Sequence, residues 1–392
     1  MEKIIFTEEF CQPENLYPFT LTRQIQDIRV GILTIREKWE MMLGLPSGDR
    51  MEDDYKDLDR SVDLSKAGDN DTFFLVHGNV LPSTTIIKGV KKLKTGEFLS
   101  TGTQSGFVFR FSGKDIKGDH QIQVKKAVII DELVRSIRYP WDIIALNDWA
   151  IREDFRLLTK KRKSAPIPDS NRIINRKEIF IEEGVSVEHS FLNASKGPIY
   201  IGRNAEIMEG SMIRGPFAMG EGALLKMGTA VYGATTLGPY CIGAGEIKNS
   251  VMFGYSNKAH HGYLGDSVIG EWCNMGAGTT NSNLKNNVGT INMWTPGGPV
   301  SAGTKCGVMM GDYTRTAINT SINTGTVIGV SANVFGAGLT PKYIPSFSWG
   351  SEGIRRYDAD KAIRDASAWK KLKGQELTEN EIKILQHIYQ HF

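Results

Sequence analysis

A chain of 392 residues is too long for one ordinary core and predicts two or three domains. Hydrophobic residues make up 40% of it, so composition allows a buried core and excludes wholesale disorder. A net charge of +3 gives no electrostatic case for nucleic acid or a membrane surface. Four scattered cysteines (Cys11, Cys241, Cys273 and Cys306) exclude a disulfide scaffold, and no apolar run approaches a membrane span.

The opening "MEKIIFTEEF" is acidic where a signal peptide needs base, which predicts a soluble cytoplasmic protein with reduced thiols. Residues 1–140 read as an α/β domain. "KIIFTE" and "DTFFLVHGNVLP" predict short buried strands ended by turn residues. "DIRVGILTIREKWEMML" predicts a helix from Ile28 to Leu43, stopped by Gly44. The acidic "MEDDYKDLDR" reads as a surface loop or helix, and "QVKKAVIIDELVRSI" as a strand followed by a helix. Residues 141–170 form a helical connector and linker, with Pro166 and Pro168 ending the helix. Its basic run "KKRK" is either a solvated linker or a nucleic-acid patch.

From residue 171 the pattern changes. Every sixth residue from Ile201 is aliphatic or Met: Ile207, Ile213, Met219, Leu225, Val231 and Leu237 follow without a break. It resumes at Leu264, Ile269 and Met275, and again from Met310 through Thr316, Ile322, Ile328 and Val334. A helix needs a period near 3.6 and a simple strand a period of two. Six fits a strand of about three residues and a corner, repeated as a β-solenoid over 171–345. "NSNLKNNVGTINMWTPGGPVSAGT" breaks the count and predicts a loop on one face, reaching toward a neighbouring subunit. The last segment, 346–392, predicts two helices. Thr378 and Glu381 make a capping box, and Ile382, Leu385 and Ile388 an apolar stripe. These helices would cap the open end of the solenoid or contact another subunit.

The repeat resembles that of the left-handed parallel β-helix acyltransferases. That resemblance implies a homotrimer with acyl-CoA bound between neighbouring prisms. "NKAHHGYLGDSVIGEWCNMGAGTTNSN" is more specific: it is similar to the acetyltransferase motif of the bifunctional N-acetylglucosamine-1-phosphate uridyltransferase/glucosamine-1-phosphate acetyltransferase family. The whole chain, including "NLYPFTLTRQIQDIRVGILTIREKW", looks like the divergent form of that family found in Bacteroidetes. The resemblance implies His260 as the base, three residues before Tyr263. It implies Lys248 and Tyr263 on the sugar phosphate, with Asn274 and Asn283 as the motif asparagines and Ala277 beside the acetyl-CoA thioester. Two cations of the family pattern are missing. "GTAVYGATT" holds no arginine, and Lys285 is out of register.

These residue types suit acetyl transfer. A histidine near neutrality can take the proton of an attacking amine, and an asparagine or backbone N–H can stabilise the tetrahedral intermediate. The alternative for His260 is a corner residue capping a turn. Side-chain alternation would turn His261 away from it. A metal site built on these histidines and His189 lacks a further ligand at a sensible spacing, so no metal is expected in the solenoid.

The N-terminal domain lacks the glycine-rich signature of sugar-1-phosphate nucleotidyltransferases. Arg23, Arg29 and Lys38 could neutralise a triphosphate. Asn79 stands where the family has an Mg²⁺-binding aspartate, and neutral asparagine is the weaker ligand. The sequence therefore predicts a transferase using a sugar-1-phosphate with acetyl-CoA, a nucleoside triphosphate, or both, with Mg²⁺ if the N-terminal domain is active. Two further readings stand beside it: a nucleotidyltransferase whose solenoid serves oligomerisation, and a non-catalytic scaffold that binds a sugar nucleotide.

Overall fold

The computed structural model describes residues 2–48, 68–102, 105–117, 121–122 and 126–392. The acidic stretch 51–60 lies outside the described residues. The chain divides into two compact units. The first contains Met1–Pro13, Arg23–Ile28 and Leu33–Arg138; the second contains Glu14–Thr22, Arg29–Ile32 and Tyr139–Phe392.

In the first unit, β1 (Glu2–Thr7) pairs in parallel with β2 (Thr72–His77). β3 (Glu97–Ser100) and β4 (Val108–Ser112) join them, and with Lys126–Ile129 they complete a five-stranded sheet in the order β1, β2, β4, β3, 126–129. β4 runs antiparallel to both neighbours. Helix α1 spans Ile35–Leu43, opened by a Thr34/Glu37 capping box and stopped by Gly44 in the left-handed conformation. α2 (Thr84–Val90) follows β2.

Two expected helices are corrected. α1 starts at Ile35 rather than Ile28. Gly31 sits at φ +83°, and side chains take the N–H groups that a helix would use: Gly31 N donates to Asn147 at 2.8 Å and Ile32 N to Asp154 at 2.8 Å. The expected helix over "DELVRSI" does not form. Its backbone pairs instead with the chain after β2: Leu81 N donates to Arg135 O and Ile137 N to Asn79 O. Here tertiary pairing outweighs local propensity.

The second unit is a parallel β-solenoid. Short strands recur in three stacks of nine, eight and six. One coil shows the plan. Ile199–Ile201 lies in the nine-stranded sheet, Glu206–Ile207 in the eight-stranded and Met212–Arg214 in the six-stranded; Phe217–Met219 then returns to the first, pairing in register with 199–201. The hexad residues from Ile201 to Leu237 are all buried and form one continuous core with Leu264, Ile269, Met275, Met310, Ile322, Ile328 and Val334. The period of six thus marks the inward position on each short strand.

Helix α3 (Pro140–Thr159) has Pro140 at its first turn and ends at Thr159, ahead of the two prolines expected to stop it. It packs on the nine-stranded sheet. Asn147 Nδ2 donates to Ala234 O at 2.9 Å, and Thr236 donates to Asn147 Oδ1. Within "KKRK", Arg162 donates to both carboxylate oxygens of Glu182, and Glu182 Oε1 also takes the Tyr200 hydroxyl at 2.7 Å, so this residue ties the linker to the solenoid.

Helices α4 (Ala359–Leu372) and α5 (Glu379–His391) lie against one corner of the solenoid. That corner carries an aromatic stack: Tyr240 and Tyr255 have ring centroids 5.2 Å apart, and Tyr255 and Trp272 4.2 Å apart. Lys373 Nζ donates to Tyr240 O and Tyr255 O, Lys370 lies over the Trp272 ring, and Tyr313 donates to Glu381. The Thr378/Glu381 box is present, but the buried stripe is Ile384, Leu385 and Ile388, with Ile382 only half-buried.

Candidate functional site

The motif residues gather where the eight-stranded sheet turns into the six-stranded one. Asn257–Lys258 belongs to the first and Tyr263–Gly265 to the second; His260 and His261 lie on the four-residue corner between them, both exposed. A corner is not pleated, so the expected alternation of the two histidines does not apply. The next coil repeats the corner at 276–279, and Gly278 N donates to His261 O at 3.2 Å. Ala277 is therefore stacked on the same corner as His260. Asn274 lies just before that corner, in register with Asn257, whose amide reaches its Oδ1 at 3.5 Å.

On the six-stranded sheet, Lys248 and Tyr263 occupy adjacent strands. Ile247 and Leu264 pair and point into the core, so Lys248 and Tyr263 face outward. The place one coil before Lys248 is taken by Tyr232, in register with it. The Lys248 ammonium lies 6.0 Å from the Tyr232 ring centre, and the Tyr232 hydroxyl donates to Glu246. That bond, with burial second, raises the Tyr232 phenol to about 12. The missing arginine is thus replaced by a neutral phenol bound to a carboxylate. Arg214, which sequence reading passed over, lies two strands from Lys248 on the same sheet and is exposed.

Asn283 connects this face to the inserted segment. Its Nδ2 donates to the Tyr263 hydroxyl at 3.1 Å and to an Asp266 carboxylate oxygen. Asp266, buried, takes a second amide from Asn249 at 2.6 Å. Both hydrogens of the Asn283 amide are thereby engaged, and the group left to meet a ligand is its carbonyl oxygen. Burial, then the charge of Asp266, pushes the Tyr263 phenol up to about 12, so it stays protonated and keeps a hydrogen to donate. Asp266 and Asn249 are members of the cluster that motif matching alone did not single out. Asn281 is another: its amide donates to Gly265 O at 3.0 Å and its carbonyl accepts from Gly265 N at 2.9 Å, joining two strands that form no ladder. The signal for it was present, since Asn281 falls on the six-residue step after Met275.

The segment expected to project toward a neighbour folds back on its own solenoid over much of its length. Asn292–Met293 and Val300–Ser301 form a small antiparallel hairpin, Ile291 and Met293 are buried, and Trp294 stacks on Tyr343 with centroids 3.6 Å apart. Residues 284–290, the hairpin tip at 296–299 and residues 301–305 are largely exposed.

The nucleotide candidates do not gather in this way. Arg23 and Lys38 are buried within the first unit. Arg29 belongs to the second unit, where its guanidinium donates to Phe253 O at 3.0 Å and to Ile32 O. Asn79 donates its amide to Ile137 O at 3.1 Å. Among the described residues no three His, Cys, Asp or Glu side chains gather as a metal site. Also among them, no helix is long and apolar enough to cross a membrane.

Residues 4–163 match the family described as sugar nucleotidyl transferase. A bifunctional sugar-1-phosphate nucleotidylyltransferase/acetyltransferase of Sulfurisphaera tokodaii is 27% identical over 317 residues, covering 78% of this chain and 69% of that protein. The bifunctional protein GlmU of Methanococcus maripaludis is 37% identical over 92 residues, 24% of this chain and 22% of its own length. Among solved structures, the acetyltransferase domain of PglB from Neisseria gonorrhoeae aligns with 45% of this chain and 57% of its own at 12% identity and a TM-score of 0.16. This chain is thus similar over 317 residues to a bifunctional sugar-1-phosphate nucleotidylyltransferase/acetyltransferase, and over residues 4–163 to the sugar nucleotidyl transferases.

Proposed function

We propose that this chain is a transferase with two sites, acting as a homotrimer in the cytoplasm. Its solenoid moves an acetyl group from acetyl-CoA to the amine of an amino-sugar 1-phosphate. Its N-terminal unit binds a nucleoside triphosphate and transfers the nucleotidyl group to the acetylated sugar phosphate. The observation that carries the acetyl-transfer reading is the Tyr263–Asn283–Asp266 network beside Lys248, one corner from His260.

Lys248 and the Tyr263 hydroxyl offer a cation and a donor to a phosphate. The Asn283 carbonyl oxygen accepts a hydrogen of the incoming amine and orients its lone pair. His260 takes the amine proton as nitrogen attacks the thioester carbon, and a backbone N–H at the Ala277 corner stabilises the oxyanion. Collapse of the intermediate breaks the C–S bond, forms the amide and releases the thiolate of coenzyme A. Asn283 thus serves as an acceptor, in place of the donor role that sequence chemistry allowed it. In the N-terminal unit Asn79 turns its amide onto Ile137, and among the described residues no three His, Cys, Asp or Glu side chains gather to hold a cation.

The test is thiol release from acetyl-CoA with glucosamine 1-phosphate, comparing wild type with His260→Ala. We expect a fall of about 10²–10⁴ in rate; full activity in the variant overturns His260 as base. A second reading, nucleotidyl transfer alone, is favoured by the neutral Tyr232 in register with Lys248. It expects pyrophosphate release from UTP and N-acetylglucosamine 1-phosphate, with no thiol release from any amino-sugar phosphate.

A further inference from the structure

The corner that carries His260 follows a shortened one. Between the eight- and six-stranded sheets the chain passes through four residues at 208–211 and at 226–229, but only through Ala244 and Gly245 in the following coil. It then takes four again at 259–262. The inner residue ahead of the short corner is Gly243, and in register with it on the next strand is Lys258. This position is aliphatic on the strands to either side, with Leu225 before and Met275 after.

Lys258 is only 2% exposed, so an ammonium stands inside the solenoid. Its Nζ donates to Ala244 O at 3.0 Å and to His260 O at 2.8 Å. Both acceptors are backbone carbonyls of the two stacked corners, turned toward the interior. A buried carbonyl needs a donor, and among the described residues no backbone N–H reaches Ala244 O or His260 O, unlike His261 O, which takes Gly278 N–H. An aliphatic residue would fill the space and leave both oxygens bare. Burial alone pushes the lysine down to about 8, the expected mark of a cation held by dipoles without a countercharge. The peptide after His260 is trans, so a carbonyl turned in toward Lys258 turns the His261 N–H outward. The same contact therefore orients the backbone on both sides of the corner.

We propose that Lys258 is a positioning residue for acetyl transfer: from inside the solenoid it holds the His260 peptide and so fixes the corner that presents the base. This rests on the acetyl-transfer reading above. The test uses the full-length chain as Lys258→Met and Lys258→Arg, with two measurements on each. In thiol release, the methionine variant is expected to lose at least about tenfold in kcat with KM for acetyl-CoA within about twofold, and arginine, which can still donate to both carbonyls, to recover most of it. In hydrogen exchange, amides 259–263 are expected to exchange at least about tenfold faster in the methionine variant, with the rest of the solenoid unchanged. Wild-type kcat and wild-type exchange in Lys258→Met overturn the assignment. If Lys258→Met does not fold, a folded Lys258→Arg that loses protection at 259–263 overturns it, and one that keeps protection and kcat supports it. If wild type releases no thiol, the acetyl-transfer reading falls, and exchange alone decides whether Lys258 holds the corner.

Discussion

Asn283 shows how much a single side chain is constrained here. Its amide nitrogen is engaged by a phenol and a carboxylate, which leaves its carbonyl as the group that the proposed reaction uses. Asn283→Asp keeps the shape but replaces the donor with a second carboxylate beside Asp266. We expect kcat/KM for acetyl transfer to fall by at least about tenfold, measured with acetyl-CoA saturating and the sugar phosphate varied. Lys258 makes a prediction of its own kind. Its folded value of about 8 lies below the ordinary 10.5, so between these values the unfolded chain binds more protons. The penalty is present in full below about pH 8 and is relieved as pH rises toward 10.5. Denaturant unfolding should therefore show wild type gaining up to about 3 kcal/mol on Lys258→Met over that window. A stability difference between the two that stays flat with pH would contradict a buried, charged lysine.

At the scale of elements, hydrophobic periodicity and helix caps were legible because each is written in residue types with one local meaning. The six-residue step located the inward positions, and Thr378, Glu381 and Gly44 marked helix ends. What stayed hidden was set by partners distant in sequence. Nothing near Gly31 announces that Asn147 and Asp154 will claim its turn, and nothing in "DELVRSI" announces pairing with the chain after β2. Lys258 hid because a lysine on the six-residue step reads as a break in the pattern. Of the candidate site, the motif gave the corner and the outward pair Lys248 and Tyr263, whereas Asp266, Asn249 and the folded-back hairpin are brought in by the stacking of successive coils. Gly31→Ala tests the first of these. A Cβ there would stand 2.6 Å from the Asp154 carboxylate at a φ that disfavours side chains, so we expect a loss of about 1–3 kcal/mol in unfolding free energy. Leu225→Ala, in the solenoid core, should cost about 2–5 kcal/mol by the same measurement.

For the whole molecule, the two proposed activities should separate. His260→Ala should slow thiol release by about 10²–10⁴ and leave pyrophosphate release within about twofold, since the substitution lies in the second unit and acts on another chemistry. The solenoid's own dressing bears on how copies could meet. α3 lies over its nine-stranded wall, and α4 and α5 close the aromatic corner between that wall and the eight-stranded one. Among the described residues the six-stranded wall exposes Phe191, Met212 and Tyr232, and it is also the wall that presents Lys248 and Tyr263. Catalysis and assembly would then compete for, or share, the same surface. Diluting the enzyme should reveal which: a homotrimer built through that wall loses specific acetyl-transfer activity as it dissociates, in step with its mass by light scattering.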